Sequence, residues 1–151
     1  MTVVQLLFKL FIVLLPWPVK RHFLQTYFNY KLHPKSRIGL SWIYPSKLTM
    51  GSGSKIGNLC VAVNLSFVEI GDFSTIDRCN WITGFPSGSP QDHFSHQPDR
   101  IAQLIIGSNS AITKFHHFDC TNEILIGSFT TIAGYNSQFL THSIDSVLNR
   151  Q

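Results

Sequence analysis

Isoleucine is followed by glycine five times in this chain, at Ile38-Gly39, Ile56-Gly57, Ile70-Gly71, Ile106-Gly107 and Ile126-Gly127, and Met50-Gly51 adds a near-equivalent. Extending each pair gives hexads: MGSGSK (50–55), IGNLCV (56–61), IGDFST (70–75), IDRCNW (76–81), IGSNSA (106–111), ITKFHH (112–117), IGSFTT (126–131) and IAGYNS (132–137). FDCTNE (118–123) keeps the step with Phe118 in the aliphatic slot. Such a recurrence marks an internal repeat, each unit a short strand plus a corner. The aliphatic side chain points into a lumen and stacks on its equivalent one coil away. The next residue turns the corner, where glycine accepts positive φ. The fifth residue is small because the chain bends there, as Ser54, Cys60, Ser74, Ser110 and Thr130 are. Cys60 therefore reads as a packing residue. Helical periodicity is confined to the N-terminus. The expected class is all-β, a parallel β-helix with an N-terminal α-helical segment.

The rhythm breaks by two residues near 62–69 and at 124–125, and by a long stretch at 84–103. That stretch is rich in Pro, Gly and Ser and reads as a projecting loop inserted in the repeat. His93 and His96 form an HxxH on it, off any helix, so the helical zinc-protease logic does not apply. They read as loop contacts to substrate or a neighbouring subunit, and Arg100, at the end of the loop, as a partner for a carboxylate or phosphate, with a solvated side chain as the alternative.

Charge separates the two ends of the chain. Residues 1–55 hold eight Lys/Arg and no acid, and the first acid is Glu69. Residues 56–151 hold four Lys/Arg and eight Asp/Glu. This argues against a uniformly basic nucleic-acid binder and for an N-terminal section facing something anionic. Residues 3–19 read VVQLLFKLFIVLLPWPV. The run is shorter than the ~20 residues that span a bilayer, and Pro16 and Pro18 end a helix there. Thr2, Gln5 and Lys9 share one face, and Trp17, Lys20, Arg21 and His22 follow at once, as at headgroup depth. No signal-peptide pattern is present. The reading is an in-plane membrane helix, with packing against the chain's own core or a neighbouring subunit as the alternative. Residues 1–35 thus form an apolar, basic, membrane-proximal segment and 36–151 the β-helix domain. Three cysteines without a CxxC pair suit a reducing compartment, hence a cytoplasmic site on the inner face of the plasma membrane.

The hexads resemble those of the hexapeptide-repeat acyltransferases, a family with left-handed coils, whereas the general crossover rule gives right-handed ones. The segment 126–150 resembles the sugar and capsule O-acetyltransferases, where a coil ends in a Thr-His pair followed by a loop with a downstream Arg. Here these are Thr141, His142 and Arg150. The resemblance implies an O-acyltransferase moving an acyl group from acyl-CoA, acetyl-CoA above all, to a saccharide hydroxyl of a surface polymer. It makes His142 the catalytic base and gives Asp119 an acceptor-binding role. It also implies a homotrimer with sites between neighbouring prisms and no bound cofactor or metal. Relatives continue with further coils that build much of the coenzyme A groove, so the domain is expected to be truncated at its C-terminus.

The chemistry needs a base because a hydroxyl is a poor nucleophile at neutral pH, and such assistance is worth roughly 10²–10⁴-fold. Asp145, three residues after His142, is a candidate to orient the ring, with a backbone carbonyl as the alternative. His117 and Asp119 point the same way along one strand and suggest an acceptor pocket. His116 and His117 lack a third ligand for a metal. Trp42 and Trp81 read as rim packing. Two rivals stand beside the transferase: an inactive or truncated β-helix scaffold, and a γ-type carbonic anhydrase with zinc histidines meeting across subunits.

Overall fold

The computed structural model describes residues 2–85 and 99–142. Two helices come first, α1 (Val3–Leu14) and α2 (Trp17–Phe28). Thr2 caps α1 with a capping box in which Gln5 answers the Thr2 side chain. Pro16 ends α1, but Pro18 falls in the first turn of α2, where a missing N–H costs nothing.

The described residues then wind as five coils of three strands. Coil one is β1 (Lys31–Leu32), β2 (Arg37–Ile38) and β3 (Trp42–Tyr44). Coil two is β4 (Leu48–Met50), β5 (Lys55–Ile56) and β6 (Val61–Val63). Coil three is β7 (Phe67–Ile70), β8 (Thr75–Ile76) and β9 (Trp81–Thr83). Coil four is β10 (Gln103–Ile106), β11 (Ala111–Ile112) and β12 (His117–Asp119). Coil five is β13 (Ile124–Ile126), β14 (Thr131–Ile132) and β15 (Gln138–Leu140). Every third strand pairs in parallel, giving three faces: β1-β4-β7-β10-β13, β2-β5-β8-β11-β14 and β3-β6-β9-β12-β15. The fold is the parallel β-helix that the hexads demand, with an N-terminal helical segment. Most of the insertion at 84–103 lies outside the described residues.

The lumen is a set of aliphatic ladders. Ile38, Ile56, Ile76, Ile112 and Ile132 stack up the second face, and Ile43, Ala62, Ile82, Phe118 and Phe139 up the third. The two-residue breaks widen the first face. Its strands from coil two onward carry two inward residues each: Leu48 with Met50, Val68 with Ile70, Leu104 with Ile106, Ile124 with Ile126.

The corners depart from expectation in one respect. Glycine in the second slot is not there for positive φ. A Cβ on Gly71 would lie 2.6 Å from Gly107 C, and one on Gly107 would lie 2.5 Å from Ser128 N. The coils approach too closely for any side chain. Positive φ falls two residues later, on Gly53, Leu59, Phe73, Cys79, Asn109, Phe115 and Phe129. For non-glycine residues that conformation costs about 1–2 kcal/mol. An inter-coil hydrogen bond offsets it: Phe73 N–H donates to Ser52 O (2.8 Å), Asn109 N–H to Asp72 O (2.8 Å) and Phe129 N–H to Ser108 O (2.9 Å).

The fifth slot behaves as a polar ladder. At the corner after the first face, Ser74 Oγ donates to Gly107 O (2.6 Å) and accepts from Ser110 N–H (2.9 Å), and Ser110 Oγ donates to Gly127 O (2.8 Å). At the corner after the second face the slot grows coil by coil, through Ser41, Cys60, Asn80 and His116. Cys60 Sγ donates to Asp77 O (2.8 Å), and burial pushes its thiol up to about 11, so it stays a packing group. His116 breaks the smallness rule. It is buried, its Nε2 meets Thr113 Oγ1 at 2.9 Å, its N–H donates to Asn80 Oδ1, and burial pushes its pKa down.

Candidate active site on the third face

Strand alternation sends Ile82 and Phe118 into the lumen and their neighbours outward. The register then sets Trp81 beside His117 and Gln138, and Thr83 beside Asp119 and Leu140. His117 and Asp119 therefore share the outer surface, as the two-residue spacing requires. His117 Nε2 lies 3.3 Å from Thr83 Oγ1.

His142 follows β15 and returns to Asp119, 3.3 Å from Nδ1 to Oδ2, with the two side chains 34% and 18% exposed. The other carboxylate oxygen of Asp119 is fixed from its own turn: Thr121 N–H donates to Oδ1 at 3.0 Å and Thr121 Oγ1 donates at 2.6 Å. Thr141 holds the turn in place. Its Oγ1 donates to Asp119 O (2.9 Å) and accepts from Asn122 N–H (2.8 Å). Thr141 thus positions the strand end that carries His142. An Nδ1–H given to a carboxylate puts the imidazole lone pair on Nε2. Asp119, expected to bind the acceptor, instead faces the His142 ring directly. Asp145 and Arg150 lie outside the described residues, as do His93 and His96.

At the starts of β9, β12 and β15 an open cleft of about 350 Å³ is bordered by Cys79, Trp81, Phe115, His116, His117, Asn136, Ser137 and Gln138, while Asp119 and His142 lie at the other ends of these strands. Trp42 packs as expected, edge-on to Tyr44 at 4.9 Å. Trp81 does not: it stands 58% exposed at the cleft, because its slot faces outward on a strand whose inward neighbour is Ile82. Arg100 is not a solvated surface arginine. It is buried, with its guanidinium donating to Phe85 O and Thr121 O, so it braces the turn that holds Asp119. Sequence reasoning missed that role because Arg100 and Thr121 meet only once the coil closes.

Among the described residues no three His, Cys, Asp or Glu side chains converge as a metal site. The three cysteines are free thiols. Comparisons with protein-family models, curated proteins and solved structures found no match.

Proposed function

We propose that the third face carries an acyl-transfer site in which His142 is the general base, held by Asp119, acting on a hydroxyl of an acceptor that runs along the face from the cleft beside Trp81. The observation that carries this reading is the His142–Asp119 contact, with the carboxylate itself fixed by Thr121. Such a histidine, oriented by a carboxylate at a partly exposed edge, is built to take a proton from a hydroxyl. The acceptor oxygen then attacks the carbonyl of an acyl thioester. The C–S bond breaks, the proton passes through His142 to the departing thiol, and an ester and free coenzyme A result. The cleft suits a neutral saccharide: Trp81 offers an aromatic face to the apolar side of a sugar ring, and Asn136, Gln138 and His117 offer hydrogen bonds to its hydroxyls. Asp119 serves this reading as a positioning residue, and the direct acceptor contact passes to His117 and Trp81.

The test is thiol release from acetyl-CoA and longer acyl-CoA donors against a panel of neutral oligosaccharides. His142→Ala should lower kcat/KM by about 10²–10⁴-fold. Asp119→Asn should lower kcat while leaving the acceptor KM unchanged, whereas Trp81→Ala should raise that KM. Undiminished transfer by His142→Ala, or no transfer by the wild-type chain to any saccharide of the panel, would overturn the reading.

A further inference from the structure

The helix α1 packs on one side only. Ile12 is buried at the end of the lumen, Phe8 meets Phe23 and Tyr27 edge-on, and Tyr44 Oη donates to Lys9 O at 2.7 Å. The opposite side is exposed and apolar: Val3, Val4, Leu7, Leu10, Phe11 and Leu14. At 3.6 residues per turn these six fall within an arc of about 120°. Nothing polar interrupts the arc. The lysines of the two helices are turned inward. Lys9 Nζ sits 4.8 Å from the Tyr44 ring centre. Lys20 Nζ donates to Gly39 O at 2.6 Å and to Val13 O at 3.3 Å.

We infer that this face of α1 lies in the interfacial plane of an anionic lipid bilayer. Its basic surroundings select that occupant. No acid occurs before Glu69. Lys31, Lys35, Arg37, Lys47 and Lys55 are all exposed on the two coils next to the helices, and Arg37 borders a cleft shared with Leu14 and Trp17. Arg37 and Lys55 are register neighbours on the second face. Lys and Arg near an anionic surface contribute about 1 kcal/mol each. A second copy would bring two basic, acid-free ends together, which like-charge repulsion opposes. No described helix is long and apolar enough to cross a membrane, so the contact is in-plane.

The experiment is co-sedimentation of the full chain with vesicles of phosphatidylcholine alone and of phosphatidylcholine with phosphatidylglycerol. Binding is expected to the anionic vesicles, and to weaken as salt rises. Leu7→Glu with Phe11→Glu should abolish it with thermal stability unchanged, since both side chains are solvent-facing. Arg37→Glu with Lys55→Glu should lower partition by about tenfold or more. Three results overturn the inference: the wild-type chain stays in the supernatant with anionic vesicles; the Leu7/Phe11 variant binds as well as wild type; or that variant disperses a wild-type oligomer without affecting sedimentation, which assigns the face to a second copy. Acyl-transfer assays in detergent-free solution read the third face independently, so either proposal can fail alone.

Discussion

The first and the last described coils treat the same lumen differently. At the N-terminal end α1 and α2 close it: Ile12 and Leu24 are buried, and Leu32 and Ile38 of the first coil are as buried as residues two coils further on. At the other end, in the last described coil, Ile132 and Phe139 are only half-buried, while Ile112 and Phe118 one coil below are almost fully so. A ladder residue draws its stability from the coils on both sides, as nearest-neighbour behaviour of repeat folds requires. The helices supply that second neighbour at one end, which makes them structural parts of the β-helix as well as a surface.

The largest stability effect that tests this contrast comes from matched truncations on the second face. Ile76→Ala, mid-ladder, should cost about 2–5 kcal/mol. Ile132→Ala should cost about 1–2 kcal/mol, since a half-buried side chain has less transfer energy to lose and its site can collapse. Ile12→Ala should behave like Ile76→Ala, because the helical cap buries it as fully. Denaturant midpoints at constant m-value measure all three. Equal costs for Ile76 and Ile132 would mean that coil five is covered as well as coil three.

Added bulk makes a smaller version of the same contrast. Gly71→Ala places a Cβ 2.6 Å from the backbone of the next coil and should destabilise by about 1–3 kcal/mol. Gly127 occupies the same slot in the last described coil, and its Cβ would meet only Thr130 Oγ1 at 3.8 Å. Gly127→Ala should stay within about 0.5 kcal/mol of wild type. A thermal shift series on the two variants distinguishes close approach from backbone conformation as the reason for glycine. If conformation were the reason, both would suffer alike.

These residues also show what was legible in the sequence. The hexads declare the β-helix because every lumen slot imposes the same demand for an aliphatic side chain, and the demand recurs on the chain itself. The second-slot glycines were visible but their cause was not, since the colliding atoms belong to the next coil. His116 was unreadable for the same reason: the Asn80 side chain that receives its N–H belongs to the coil below. In the candidate site the resemblance supplied His142, and the two-residue spacing placed His117 with Asp119. The His142–Asp119 contact spans residues far apart in sequence and needs the coil length, including the extra pair on the first face, to be read. Lys20 belongs to the cationic cluster in sequence, yet it is buried, with its amine donating to the carbonyl of Gly39.

That lysine sets the smallest and most specific test, since it responds to alkali oppositely to the buried thiols. In the coils, burial pushes the Cys60 thiol up to about 11 and the Cys120 thiol up to about 12. An unfolded thiol ionises near pH 8.5, so above about pH 9 the unfolded chain holds fewer protons than the folded one and stability falls. Buried Tyr30 and Tyr44, both pushed upward, add to the fall above about pH 10. At the helical end, burial lowers Lys20 to about 8. An unfolded lysine keeps its proton to about pH 10.4, so this one group makes stability rise between about pH 8 and 10. Two thiols outweigh one amine, and denaturant midpoints under reducing conditions should drop from about pH 9 upward. Cys60→Ala with Cys120→Ala should flatten or reverse the drop, whereas Lys20→Met should steepen it and begin it no later than in wild type. A wild-type midpoint that climbs through this range would mean that the thiols are not held protonated by the coils, and the buried state assigned to Cys60 and Cys120 would be wrong.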